Sequence, residues 1–295
     1  MAISQNYQFE YEHSDGTTIL MGAGTDYDIT DMRGFGIPPV RSNDIPILDQ
    51  IGTITSRKEL MGGRSLNLRV IVYGAPGDEL DANVTALKRA IQPNDAIGKL
   101  KFRFPVGFGS SDTTNDDRYI SVFPRRITQQ ILASNSAGRV PMFIGFEAPD
   151  PRFKSDEVNN DSLTLASFTG GAGFNATFNL SFGTGSSGTI TVTNAGNFAA
   201  DPVVRFNGPL TTPKLTNDTQ SKYIELQNLT LTSGEYVEVN FRERSILKGG
   251  TTSVYNTLTN TSSWWNLSPG DNNLVFSAAS SASTTCVVTY NHTWI

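Results

Sequence analysis

The sequence predicts a mainly β protein in two parts. An N-terminal β-sandwich or open barrel carries one flanking helix, and an antiparallel β-sandwich follows it. Three observations lead there. Apolar and polar residues alternate along most of the patterned segments, as half-buried strands require. Only one segment has helical spacing. Charged residues make up 17% of the 295, against about a quarter in ordinary domains. Ser, Thr, Asn and Gly fill the gap, and these residue types suit strands and turns.

The chain opens with MAISQNYQFEYEHSDG, which lacks a basic end followed by an apolar run. That predicts no signal peptide and a chain made in the cytoplasm. No apolar stretch approaches the roughly 20 residues of a membrane helix. Segment 32–50, MRGFGIPPVRSNDIPILDQ, is too rich in Gly and Pro for a central strand and reads as an extended arm. It still carries Phe35, Ile37, Val40, Ile45, Ile47 and Leu48. That much apolar surface is costly in water, so the arm should cover its own barrel or a neighbouring copy.

Segment 65–74 alternates, with Leu66, Leu68, Val70 and Val72 on one face. Segment 98–108 does the same with Leu100, Phe102, Phe104 and Val106, and segment 140–148 with Val140, Met142, Ile144 and Phe146. Between the first two lies the helix, expected over 79–91. Leu80, Val84, Leu87 and Ile91 form its apolar stripe, Asp78 is the expected N-cap, and Pro93 stops it. Residues 107–118 read as a polar hairpin tip whose acidic residues lack the spacing of a calcium loop.

Two prolines and a run of charges between 146 and 161 mark a boundary, giving domains 1–151 and 152–295. No helical stripe follows. Segment 222–250 reads as three strands, and the Gly-rich GGAGF and GTGSSG read as turns, lacking the strand–loop–helix context of a phosphate cradle.

Little in the chain suggests chemistry. The net charge of −5 excludes a chain that binds nucleic acid by its overall charge. The single cysteine, Cys286, forbids an internal disulfide and sits in an alternating strand, TTCVVTY, where a small buried residue is expected. His13 lies in a polar hairpin start and His292 in the final strand, neither near a cysteine. No HExxH, CxxC or GxSxG occurs. Neither a catalytic residue, a metal ligand nor a cofactor site is expected.

The most distinctive stretch is WWNLSPGDNNLVF, from Trp264 to Phe276. Pro269 and Gly270 fit the central positions of a type II turn. Trp265 and Leu267 share one parity and Trp264 the other, while Leu274 and Phe276 share a face beyond the turn. One Trp, Trp265, should therefore enter the core, with Trp264 more exposed. The pattern W-x-L-x-PG-x-N-x-L-x-F, from Trp265 to Phe276, resembles the end of the C-terminal domain of the distal tail protein family of long-tailed bacteriophages. GGRSLNLRVIVYG with its helix, FEAPDPRF, NAGNFAADPVVRFNGPLTTPKL and LTLTSGEYVEVNFRERSI resemble further family segments in the same order.

The resemblance implies a hexameric ring built from first domains at the end of the tail tube. The ring would join the tube protein to the central hub protein and leave a channel through which DNA passes. It also implies a galectin-like second domain that docks receptor-binding proteins, in a virion assembled inside the host cell. The competing expectation is a carbohydrate-binding adhesin that uses the second sandwich and an exposed Trp.

Limited proteolysis should cut first within 107–118 or 148–161, since exposed polar segments are the usual sites. A first cut inside 65–74 or 223–241 would overturn this domain map.

Overall fold

The computed structural model describes residues 3, 7–41, 45–46, 53–54, 60–93, 96–103, 117–131, 137–165, 188–281 and 284–295. The chain divides into two compact units, Met1–Asp156 (with Ile295) and Glu157–Trp294.

In the first unit, β1 (Gln8–Glu12), β2 (Thr18–Gly22) and β3 (Tyr27–Arg33) lead into four short strands: β4 (Val40–Arg41), β5 (Ile45–Pro46), β6 (Thr53–Ile54) and β7 (Leu60–Met61). Then come β8 (Arg64–Tyr73), α1 (Asp78–Ala90), β9 (Gly98–Arg103), β10 (Arg118–Gln129), β11 (Arg139–Ala148) and β12 (Phe153–Ser155). The strands hydrogen-bond in the order β2-β1-β9-β10-β11-β8-β3. β12 also pairs with β10 through Arg118↔Ser155 and Tyr119↔Lys154. That pairing keeps 153–155 with the first unit, so the division falls a few residues beyond the expected boundary.

β10 turns this single sheet back on itself. Residues Arg118–Val122 pair with β9, Phe123–Gln129 pair with β11, and the register shifts between Pro124 and Arg126. A bulge bends and twists a strand, and it is one of the few places in a sheet that tolerates a proline. The two leaves enclose the core. Leu66, Leu68, Val70 and Val72 from β8, and Val140, Met142, Ile144 and Phe146 from β11, are all buried, as their alternation requires. Leu100 and Phe102 are buried on β9; Phe104, Val106 and the 107–116 tip lie outside the described residues.

The helix starts one residue earlier than expected and ends one earlier. Its N-cap is Gly77, with no capping side chain, so Asp78 is its first residue and not its cap. Glu79 instead reaches back, its Oε2 accepting from the Ala75 N–H at 2.8 Å. Leu80, Val84 and Leu87 are buried, and Ile91, the C-cap, is fully so. Segment 32–50 forms no central strand. It ends edge strand β3 and then makes two-residue ladders, β4 with β7 and β5 with β6.

The second unit contains β13 (Asn159–Leu165), β14 (Gly188–Asn194), β15 (Val203–Asn207), β16 (Leu210–Thr211), β17 (Lys214–Asn217), β18 (Lys222–Glu225), β19 (Thr230–Leu231) and β20 (Tyr236–Asn240). It continues through β21 (Ser245–Lys248), β22 (Thr252–Ser253), β23 (Gly270–Ser277), β24 (Ser280–Ser281), β25 (Thr284–Tyr290) and β26 (Thr293–Trp294). Segment 222–250 thus yields four strands where three were expected, because Thr230–Leu231 pairs separately with β16.

One antiparallel sheet runs β13-β25-β15-β20-β21-β22 and another β14-β23-β17-β18. Their inner faces meet in a shared core, for example Phe206 against Phe276 with ring centroids 5.6 Å apart. This is a β-sandwich, two sheets joined by interdigitated side chains. Among the described residues no helix is long and apolar enough to cross a membrane.

Candidate functional site

The Trp264–Phe276 stretch is held by its backbone first. Leu267 makes an antiparallel bridge to Ala200, with N–H to O distances of 2.8 and 2.9 Å in the two directions. The extended chain then reverses at Pro269–Gly270, where Gly270 has φ +83°. That angle suits the third position of a type II turn and strains any residue with a Cβ. Leu274 and Phe276 follow on β23 and are fully buried.

The device that fixes the turn is Asn272, which is fully buried. Its Oδ1 accepts from the Ser268 N–H at 3.0 Å, and its Nδ2 donates to the Ser268 and Gly270 carbonyls at 2.9 and 3.0 Å. Asn194 does the same for the neighbouring loop. Its Nδ2 donates to Phe198 O at 2.8 Å and Leu267 O at 3.2 Å, and its Oδ1 accepts from Gly196 N and Thr293 N. Neither asparagine stands among the expected site residues. The available signal was their position: Asn272 is the fixed N of the Trp265–Phe276 pattern, and Asn194 opens NAGNF.

Trp265 is 1% exposed, and its ring lies 4.5 Å from that of Phe241. Trp264 is only partly buried. It meets Phe241 edge-on at 5.4 Å and lies nearly parallel to Tyr255 at 6.4 Å. Tyr255 is itself 46% exposed. The two tryptophans and Phe241 thus form one aromatic step from core to surface.

The residues of the expected arm separate. Phe35 packs inward, its ring 5.9, 5.6 and 6.0 Å from Phe9, Phe102 and Phe153. Arg64 closes that cluster. Its guanidinium stands 4.2 Å over Phe153, and Nη1 donates to Gly34 O at 3.1 Å. Burial pulls its pKa down to about 10. Ile37 is 82% exposed, and on the β4–β7 ladder Val40, Leu60 and Met61 are exposed as well. The side chain of Ile45, and all of Ile47 and Leu48, lie outside the described residues.

Cys286 lies on β25 and is fully buried, and burial pushes its thiol pKa well up, away from the reactive thiolate. His13 closes the β1–β2 hairpin, its backbone bonded to Thr17 and Gly16. His292 stands in the two-residue break between β25 and β26, not in a strand. Its Nδ1 accepts from Ala195 N at 3.1 Å. Among the described residues no cluster of three or more His, Cys, Asp or Glu could hold a metal ion.

Two β units, buried asparagines that fix turns and an exposed apolar ribbon are the features the described residues present. A likeness to a known family lies in the second half of the chain. Residues 195–294 match the family model of the siphovirus-type tail component, C-terminal domain, which bears out the resemblance carried by the Trp265–Phe276 pattern. The fold of the chain is similar to the crystal structure of the SPP1 Dit protein, described as a paradigm of the hub adsorption apparatus in phages infecting Gram-positive bacteria. That likeness has a TM-score of 0.63 and 16% identity, and covers 95% of this chain and 98% of that one. Two structures of the phage P2 baseplate in its activated conformation, with calcium and with strontium, align at a TM-score of 0.46 and 11% identity, over 96% of this chain and 97% of theirs. No curated protein sequence matches.

Trp265→Ala should cost about 3–5 kcal/mol of stability, the usual range for truncating a buried aromatic, and Trp264→Ala less. Asn272→Ala should cost about 1–3 kcal/mol for each backbone group left bare. Denaturant melts of the three variants check this, and a larger loss for Trp264→Ala than for Trp265→Ala would invert the assigned core face.

Cys286 should resist a thiol reagent at pH 8 in the folded chain and react fully once unfolded. Because folding holds the thiol neutral, its stabilising contribution is complete below the free-thiol pKa of about 8.5 and declines as pH rises above it. The alkaline loss of melting temperature should be smaller in Cys286→Ser than in the unaltered chain.

Proposed function

We propose that this chain is a structural component of the tail tip of a long-tailed bacteriophage. It forms a ring, six-membered by family resemblance, between the tail tube protein and the hub protein, and DNA passes through its channel. The observation that carries this reading is the family match over 195–294, centred on the Trp265–Phe276 motif. It stands in a two-unit chain with the fold of the SPP1 Dit protein along nearly its whole length. In this reading residues 1–151 carry the ring surface, and 152–295 form a galectin-like domain that projects outward toward receptor-binding proteins. The protein acts in the virion, assembles in the host cytoplasm, and performs no catalysis.

The β4–β7 ribbon supports the ring. Ile37 and Val40 expose apolar surface on one short segment of the first unit, and Leu60 and Met61 do so on the strand paired with it. Exposed apolar patches of this kind mark sites of association. A closed ring sets such a patch against a different patch on the next copy. The sugar-binding alternative gains no support from the Trp pair. Trp265 is buried, and Trp264 is engaged by Phe241 and Tyr255.

The test is a reconstruction of the assembled tail. Contacts between copies should come chiefly from residues before 150, with the 32–50 arm among them. Copies touching mainly through 152–295, or a single copy per particle, would overturn the ring assignment.

A further inference from the structure

The outer face of the leaf β10-β11-β8-β3 carries a basic notch. Two cross-strand rows build it. The first runs Arg33–Asn67–Gly145–Arg126 and the second Asp31–Arg69–Phe143–Thr128. Gly145 leaves the first row without a side chain at its centre. A Cβ there would touch the Arg126 side chain at 3.4 Å and Asn67 Oδ1 at 3.5 Å, so its absence opens the concavity between them.

Three arginines and one aspartate line the notch, a local charge of +2 on a chain of net charge −5. Arg33 is paired with Asp31 at 3.0 Å. Arg69 instead stands 5.6 Å from the centre of the exposed Phe143 ring, and Arg126 Nε donates to Thr128 Oγ1 at 3.0 Å. No carboxylate among the described residues pairs with either. A guanidinium presents a rigid fork of donors that matches a carboxylate bidentately.

We propose that this notch receives the acidic first turn of helix α1 from a second copy of the chain. The inference rests on the ring reading and names its two faces. Copies with a net charge of −5 repel one another, so a place where opposite charges meet favours association and fixes its register. The notch is such a place in the first unit. Its complement lies in the same unit: Asp78, Glu79 and Asp81 are exposed within four residues, and none has a cationic partner among the described residues. The notch and the helix start are different patches, so their union is head-to-tail, the geometry that closes a ring. Phe143, 40% exposed, gives the contact an apolar centre.

Charge exchange in the full chain tests this. Association would be followed by sedimentation velocity up to about millimolar protein at low salt, where charge contacts are least screened. The unaltered chain should associate. R69E/R126E and D78K/D81K, each alone, should weaken association at least about tenfold, equivalent to about 1.4 kcal/mol. The chain carrying all four changes should recover it. Circular dichroism and melting temperature check that every variant is folded.

If R69E/R126E associates like the unaltered chain, or the fourfold variant fails to recover, the notch–helix contact is wrong and the ring reading stands. If the unaltered chain remains a monomer throughout, both the contact and self-driven ring formation fail. If R69E/R126E keeps its association but loses retention of a short DNA duplex at low salt, the notch binds a polyanion and the proposal is overturned.

Discussion

Strand β10 runs for 12 residues and belongs to both leaves of the first unit. Its first half completes the hydrogen bonding of β9 and its second half that of β11. The change of partner happens across a bulge at Pro124–Arg126, so the bend is written into the residues that cannot pair regularly. Without that bend the apolar faces of β8 and β9 would lie side by side on one flat sheet and no core would close between them. The helix buries its stripe from Leu80 to Ile91 within the same unit.

In the second unit the corresponding constraint is polar. A sandwich with many short strands must reverse its chain often, and each reversal takes backbone groups out of the ladders. Asn272 and Asn194 place a donor and an acceptor at such points inside the protein, and both are fully buried. A buried amide that satisfies several backbone groups makes one loop conformation much better than the others. Trp265 then packs on a wall that is already fixed. Gly196 completes the arrangement, since a Cβ there would strike the Thr293 carbonyl.

Much of this was legible in the sequence because period-2 alternation and helical spacing report directly on burial. The faces of β8 and β11, the helical stripe and the inward Trp265 all follow from parity. The start of the helix differs from the sequence expectation because Asp78 is a common capping type, whereas the backbone at Gly77 has φ +110°, which no composition rule shows. The boundary shifted because β12 pairs with a strand far earlier in the chain, and long-range pairing leaves no local mark. By sequence alone Phe35 reads as part of an arm with its neighbours. It belongs to the Phe9–Phe102–Phe153 cluster because the chain doubles back over Arg64. The basic notch was invisible for the same reason, since Arg33, Arg69 and Arg126 meet only through the register of four strands.

The burial of Cys286 has a practical side. The chain carries a single thiol, and it is enclosed on all sides by the core of the second unit. A cysteine introduced on any exposed position, such as the 82% exposed Ile37, would be the one thiol open to a maleimide dye or spin label. Single-site probes for distance measurements in an assembled particle can therefore be installed on an otherwise natural sequence, leaving the packing around β25 untouched.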